Sequence, residues 1–258
     1  MKIASWNVNS LKVRLPHVLD WLDRQQPDIL GLQETKTIDD NFPINEIEAA
    51  GYRAVFAGQK TYNGVAVLSK LPATQIVTDL PGLDDPQRRV LGATLGSGDD
   101  AVRFLNLYVP NGSEVGSDKY AYKLAWLEAL IHYVDRQLSE HENLVVVGDF
   151  NIAPDDRDVH DPSVWQDKIL CSQPEREAFQ RLLDLGLSDC FRIFEQEEAV
   201  YSWWDYRAAG FRRNRGLRID LLLASAAMSA RCIASGVDKE PRKLERPSDH
   251  APVVAEFS

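Results

Sequence analysis

The sequence predicts an α/β fold in which sheets are covered by helices. Short apolar runs recur along the chain, and amphipathic helical stripes are interleaved with them. No Pro/Gly/Ser linker, low-complexity tract or tandem repeat divides the 258 residues. A chain of this length can bury a large core, so one domain over residues 1–258 is expected. Strand candidates are Ile3 to Trp6, Ile29 to Leu32, Val65 to Leu68, Val90 to Leu95, Val102 to Val109, Leu144 to Val147, Ile219 to Leu223 and Val253 to Phe257. Leu15, Val18, Leu19 and Leu22 follow an i, i+3, i+4, i+7 stripe, and Leu124, Leu127, Ile131, Val134 and Leu138 form a longer one. Ser172 with Glu175 makes a capping box, and Gly186 stands where that helix should stop. Periodicity leaves open whether the strands form one sheet or two.

Apolar residues make up 44% of the chain and charged residues 26%, ordinary values for a soluble globular protein. No apolar run approaches the ~20 residues needed to cross a bilayer, so no membrane role is expected. The N-terminus lacks the pattern of a secretory signal. Cys171, Cys190 and Cys232 lack metal-ligand spacing and fit buried thiols in a reducing cytoplasm. The net charge of −10 argues against a protein that coats nucleic acid non-specifically. Yet Arg207, Arg212, Arg213, Arg215 and Arg218 cluster around Phe211, next to Trp203, Trp204 and Tyr206. Such a stretch is often only a solvated loop. Its aromatics better fit a surface that meets a phosphate backbone and stacks on bases.

The strand candidates share one construction. Leu144-Val145-Val146-Val147 is read as a buried strand that Gly148 ends, where Asp149 and Asn151 emerge. Ile29-Leu30-Gly31-Leu32 delivers Gln33 and Glu34, and Ile3-Ala4-Ser5-Trp6 delivers Asn7 and Asn9. Asp220 sits at the mouth of another strand, and Ser248-Asp249-His250 precedes the last one. Convergence of Glu34, Asp149, Asp220 and Asp249 would cost about 14 kcal/mol over six pairs ~7 Å apart at a dielectric near 20. A cation, protons or positive side chains must relieve it. The set is rich in hard oxygens, with amides from Asn7 and Asn151 and one imidazole, His250, which suits Mg²⁺ or Mn²⁺ rather than Zn²⁺. Taken alone, Asp220 fits a loop cap or an arginine partner, His250 a structural histidine, and Tyr108 a packed hydroxyl.

Together the motifs carry a resemblance. Trp6-Asn7-Val8-Asn9, Leu32-Gln33-Glu34-Thr35-Lys36, Tyr108-Val109-Pro110-Asn111-Gly112, Gly148-Asp149-Phe150-Asn151, Asn214-Arg215-Gly216-Leu217-Arg218-Ile219-Asp220 and Ser248-Asp249-His250-Ala251-Pro252 occur in order. The chain resembles the class II abasic-site endonucleases of the exonuclease III type, within the superfamily that includes deoxyribonuclease I. That resemblance implies a four-layer α/β sandwich, two packed sheets flanked by helices, with the site at one edge. It implies Mg²⁺- or Mn²⁺-dependent hydrolysis of duplex DNA, 5′ to abasic sites and at 3′ ends. By motif position, Glu34 would be the main metal ligand, helped by Asn7 and Asp249, with Asp149, Asn151 and His250 at the same site. Asp149 would orient or deprotonate water, and Asn151 would hold it. His250, oriented by Asp220, and Tyr108 would contact the phosphate, with Asn111 nearby. Trp203, Leu217 and Ile219 would line the pocket for a flipped abasic sugar, beside Arg215. Asn9 departs from relatives that carry a carboxylate there.

The residues leave open whether Asp149, His250 or a Tyr108 phenolate takes the proton. Three alternatives stand beside DNA hydrolysis: the same chemistry on another phosphate ester, a non-catalytic DNA-binding protein, and a metal-binding structural protein, which would leave the basic aromatic loop without a purpose. A monomer is the default expectation for a nuclease that must accommodate a duplex.

Overall fold

The structure is a computed structural model that describes residues 1–258. Twelve strands form two six-stranded sheets. The first contains β1 (Lys2–Asn7), β2 (Ile29–Gln33), β3 (Arg53–Ala57), β4 (Val65–Ser69), β11 (Cys232–Val237) and β12 (Val253–Phe257), in the order β11-β12-β1-β2-β4-β3. The second contains β5 (Ala73–Val77), β6 (Val90–Leu95), β7 (Val102–Tyr108), β8 (Leu144–Asp149), β9 (Ser188–Asp189) and β10 (Asp220–Ala224), in the order β5-β6-β7-β8-β10-β9. Each sheet has one parallel pair at its centre, β1 with β2 and β7 with β8, and antiparallel pairs elsewhere. The two sheets therefore repeat one topology, although the sequence shows no repeat.

Parallel neighbours need a crossover, and a helix supplies it in both sheets. α1 (Leu11–Gln25) joins β1 to β2, and α3 (Asp118–Glu140) joins β7 to β8; α2 (Ile44–Ala49) follows β2. α1 buries Val18 and Leu22 of the stripe, with Trp21 beside them, against Ala4, Trp6, Leu30 and Leu32 on the outer face of the first sheet, while Leu15 and Leu19 are partly buried. Gln26 ends α1 in a left-handed conformation, its N–H on Leu22 O, and Pro27 follows. α3 and α5 (Gln173–Asp184) bury Leu127, Ile131, Val134 and Phe179 against Leu105, Leu107, Val146 and Leu221 of the second sheet. The Ser172–Glu175 capping box is formed, and Gly186 lies just past the end of α5 at φ +106°. Between the sheets, Ile3, Ile29, Val65 and Val67 meet Phe104, Val145, Val147 and Leu222. The order of layers is helix, sheet, sheet, helix.

One expectation is corrected. Gly148 does not end its strand; β8 continues to Asp149. At φ +148°, a Cβ on Gly148 would lie 1.9 Å from Leu107 O, so glycine is required for β7 to pair alongside. The remaining helices are short: α4 (Pro162–Trp165), α6 (Cys190–Ile193) and α7 (Ala226–Arg231). No helix is long and apolar enough to cross a membrane.

Candidate active site

Strand direction explains why distant residues meet. β1 and β2 run parallel with Asn7 opposite Gln33, so Asn7 and Glu34 leave the first sheet at one edge. In the second sheet Asp149 pairs with Tyr108 on one side and Asp220 on the other, and directly paired residues share a face. His250 reaches the same edge just before β12, its backbone bridged to Trp203.

Asn7 links the sheets chemically. Its Nδ2 donates to Glu34 Oε1 and to Asp149 Oδ2, both at 2.9 Å, while its Oδ1 accepts the Asn9 N–H at 3.0 Å. His250 Nδ1 lies 3.1 and 2.9 Å from the two Asp220 oxygens, and its Nε2 faces Asp149 Oδ2 at 3.8 Å. Asn151 accepts from Asn111 Nδ2 at 3.1 Å, donates to Val109 O at 3.0 Å, and gives its backbone N–H to Asp149 Oδ1 at 2.9 Å. Asp249 accepts from Asn9 Nδ2 at 2.9 Å and from Trp203 Nε1 at 3.1 Å. Asn9, Ser10, Glu34, Lys36 and Asn151 all have positive φ, strain that the surrounding hydrogen bonds over-determine.

Burial and neighbouring charge set the protonation states. Burial lifts Asp149 to about 7, with Asp220 and Glu34 adding to the rise and His250 and Asn7 opposing it. For His250, burial works against the charge, but Asp220 and then Asp149 outweigh it and raise the imidazole to about 10. Burial, then Glu34 and Asp149, push the Tyr108 phenol well above its usual value. Burial resists ionisation of Glu34, yet Lys36 and the Asn7 bond hold its carboxyl below the usual range. Asp249 is likewise held low against burial, by His250 and by bonds from Asn9 and Trp203.

Ligand atoms of Glu34, Asp149 and His250 all lie within 4.8 Å of one another. Two hard carboxylates at that spacing fit a divalent cation. His250 Nδ1 is engaged by Asp220, which leaves Nε2 as the ring nitrogen that faces Asp149 and the cluster. Asn7 presents its amide N–H₂ to the cluster rather than an oxygen, because Oδ1 serves Asn9. Asn151 Oδ1 and both Asp249 oxygens are engaged by other side chains, and Asp249 lies outside the three-residue cluster.

Leu217 and Ile219 are at most 1% exposed, packed with Val159 and Leu170 behind the half-buried Trp203, so they do not line an open pocket in this structure. Within the arginine loop, Arg218 is buried between Asp158 (2.6 Å) and Asp189 (2.7 Å), and Arg207 pairs with Asp205 at 2.6 Å. Trp204 is fully buried. Arg212, Arg213 and Arg215 remain exposed and free of ion pairs, and they are the cationic surface.

The sequence analysis missed Lys36, whose Nζ lies 2.8 Å from Glu34 Oε2 and 2.5 Å from Asn9 Oδ1. Its signal was the lysine two residues after the carboxylate in the Leu32–Lys36 motif. Lys123 was also missed: fully buried, it donates to Asn151 O at 2.6 Å and Asn111 O at 3.2 Å and pairs with Glu175. Nothing in an amphipathic stripe distinguishes such a lysine. Arg89 stacks 4.7 Å from the Tyr108 ring and borders a cavity of about 400 Å³ beside Glu34 and Tyr108.

Residues 4–250 match the model of the Endonuclease/Exonuclease/phosphatase family. The chain belongs to that family. Exodeoxyribonuclease III of Haemophilus influenzae is 37% identical over the whole of both chains, and the exodeoxyribonuclease of Bacillus subtilis is 32% identical over 98% of each. Among solved structures, a 3′ phosphatase from Neisseria bound to product DNA hairpin superposes with a TM-score of 0.97 at 51% identity, covering 100% of this chain and 99% of that one. An AP endonuclease from Archaeoglobus fulgidus gives 0.95 at 37% identity with the same coverage. Within the family, this chain is a nuclease of the exodeoxyribonuclease III and AP endonuclease branch.

Proposed function

We propose that the chain hydrolyses the O3′–P bond of duplex DNA, with Mg²⁺ or Mn²⁺, at 3′ ends and 5′ to abasic sites. Removal of a 3′ phosphate, release of a 3′ nucleotide and incision before an abasic sugar all break that same bond and leave a 3′-hydroxyl. The observation that carries the proposal is the continuous hydrogen-bonded path Glu34–Asn7–Asp149 beside the His250–Asp220 pair. Relatives that process 3′ ends and abasic sites support the choice of DNA, as do the unpaired Arg212, Arg213 and Arg215.

Asp149, buried and held by the Asn151 N–H, is placed to orient the attacking water or take its proton, and burial raises its carboxyl in the direction of that role. The phenol of Tyr108 and the imidazolium of His250 both hold their protons, so they act as donors to phosphate oxygens where negative charge grows. Asn151, locked between Asn111 and Val109, positions the water beside Asp149. Asn7 orients both carboxylates. A divalent ion at Glu34 and Asp149 would neutralise phosphoryl charge and acidify water.

Abasic incision makes an added demand, since Leu217 and Ile219 meet a flipped sugar only if Trp203 moves aside. The test is an end-labelled duplex series, one with a single abasic site, one with a 3′-phosphate and one with a plain 3′ end, each with Mg²⁺ or EDTA. Metal-dependent cleavage leaving 3′-hydroxyls is expected, abolished in Glu34→Ala and Asp149→Asn. Trp203→Ala is expected to reduce abasic incision more than 3′ trimming. Binding without cleavage, or full activity of either carboxylate variant, would overturn the proposal.

A further inference from the structure

Three consecutive carbonyls lead into Asp249 and His250, and each accepts from an arginine, two from Arg14 at the far end of the chain and one from the nearby Arg242. Arg14 donates from Nε to Arg246 O at 3.2 Å and from Nη2 to Pro247 O at 3.0 Å. Arg242 donates from Nη1 to Ser248 O. The Tyr206 hydroxyl adds a second bond to Pro247 O at 2.8 Å and accepts from Arg14 Nη2 at 3.1 Å. Arg14 Nη1 then reaches Asn9 O at 2.5 Å, on the very residue whose side chain holds Asp249.

Neither arginine makes an ion pair with a carboxylate, and their hydrogen bonds go to backbone carbonyls and to the Tyr206 hydroxyl. Arg242 is only 6% exposed, with the rings of Trp204, Tyr206 and Phe211 at 5.6, 5.8 and 4.8 Å from its guanidinium. Its Nε has no partner, a costly arrangement for a buried cation. The aromatic cage offsets part of that cost and fixes where the guanidinium sits. The segment it holds is strained, with Arg246 at φ +50°.

We infer that Arg14 and Arg242 are positioning residues for the Asp249–His250 segment. Together they fix its backbone against the left-handed turn at Asn9. That placement sets the Asn9–Asp249 and Trp203–Asp249 hydrogen bonds and the reach of His250 toward Asp149. The inference rests on the proposed phosphodiester hydrolysis, but neither side chain belongs to the Glu34, Asp149 and His250 cluster.

The test uses Arg14→Met, Arg242→Met, the double variant and Arg14→Lys in the full chain. Two quantities are measured: kcat and KM on a 3′-ended duplex with Mg²⁺, and the Trp203 indole N–H resonance of the DNA-free protein, assigned by its loss in Trp203→Phe. Displacement of a reacting group by about 1 Å can cost about 100-fold, so each Met variant is expected to lose about 10- to 100-fold in kcat with little change in KM. The indole resonance moves in both. The double variant is no worse than the weaker single, because both act through one segment. Arg14→Lys recovers part of the loss. Should Arg242→Met fail to fold, the half-buried Arg14 carries the same measurements. An unmoved resonance, or a lower melting temperature with kcat intact, overturns the inference. A raised KM with unchanged kcat also overturns it, since that marks direct DNA contact. If the wild-type enzyme shows no metal-dependent cleavage, the functional proposal fails alone, and the indole measurement still decides the positioning role.

Discussion

Replacing Asp220 with Asn tests the charge logic of the site most directly. Its carboxylate lies 2.9 Å from His250 Nδ1, which places the charge centres roughly 4 Å apart. At an effective dielectric of about 20 that attraction is worth about 4 kcal/mol. At 1.36 kcal/mol per unit, this is about 3 pKa units. Asn cannot supply it, so the imidazole should fall from about 10 to about 7. Asp149 loses a like-charged neighbour in the same substitution, but wherever His250 deprotonates it also loses the imidazolium that holds it down, so the two effects on Asp149 oppose each other. The expected result is an acid shift of the imidazole, so that at pH 8 only about one in ten keeps its proton. The assay is an NMR titration of ¹³C-labelled histidine in the metal-free protein, with single-turnover cleavage measured across the same pH range. Activity at pH 8 should fall about 10-fold or more and partly return on acidification. A His250 pKa still near 10 in Asp220→Asn would refute the electrostatic account.

Other outcomes follow from the same structure. In EDTA, the raised His250 pKa stabilises the fold fully below about pH 6.5, and that stabilisation is lost as pH climbs toward about 10; the melting-temperature gap between wild type and Asp220→Asn should shrink over that range. Gly148→Ala forces a Cβ into Leu107 O and should cost about 3 kcal/mol or more in denaturant unfolding, with loss of activity because Tyr108 and Asp149 sit on the separated strands. Arg218→Met leaves the buried Asp189 without its ion-pair partner and Asp158 with Arg192 alone, and should cost about 3–5 kcal/mol by the same measurement. Calorimetric titration with Mn²⁺ should show binding to the wild type that Glu34→Ala weakens at least about 10-fold, since removing even a group that only orients a metal ligand costs about 10- to 100-fold.

The central strands were legible because their apolar runs are buried on both faces. Unread were β3, β5, β9 and β11, which are the four edges of the two sheets. β5 and β11 are largely exposed or half-exposed, so they lack the alternation that marks a strand. Motif order located Glu34, Asp149 and His250, but the roles of neighbours depended on side-chain direction. Which atom Asn7 presents is decided by the Asn9 N–H, not by residue type. Likewise Arg218 reads like its exposed neighbours until Asp158 and Asp189, dozens of residues away, are brought beside it. Lys123 and Arg242 are buried cations whose partners are largely backbone carbonyls or aromatic rings, and no local pattern announces either.

Asn106, on β7, donates to Leu32 O and Ala66 O in the opposite sheet, both at 2.9 Å, and accepts from Gln33 at 2.6 Å in the space that Gly31 leaves. This polar latch crosses an otherwise greasy interface, where apolar contacts alone would tolerate sliding. One step of slippage would carry Glu34 about 3.4 Å past Asp149. Catalysis by this nuclease is thus hostage to interlayer alignment, and Asn106 is the pin that keeps two halves of one reaction centre abreast.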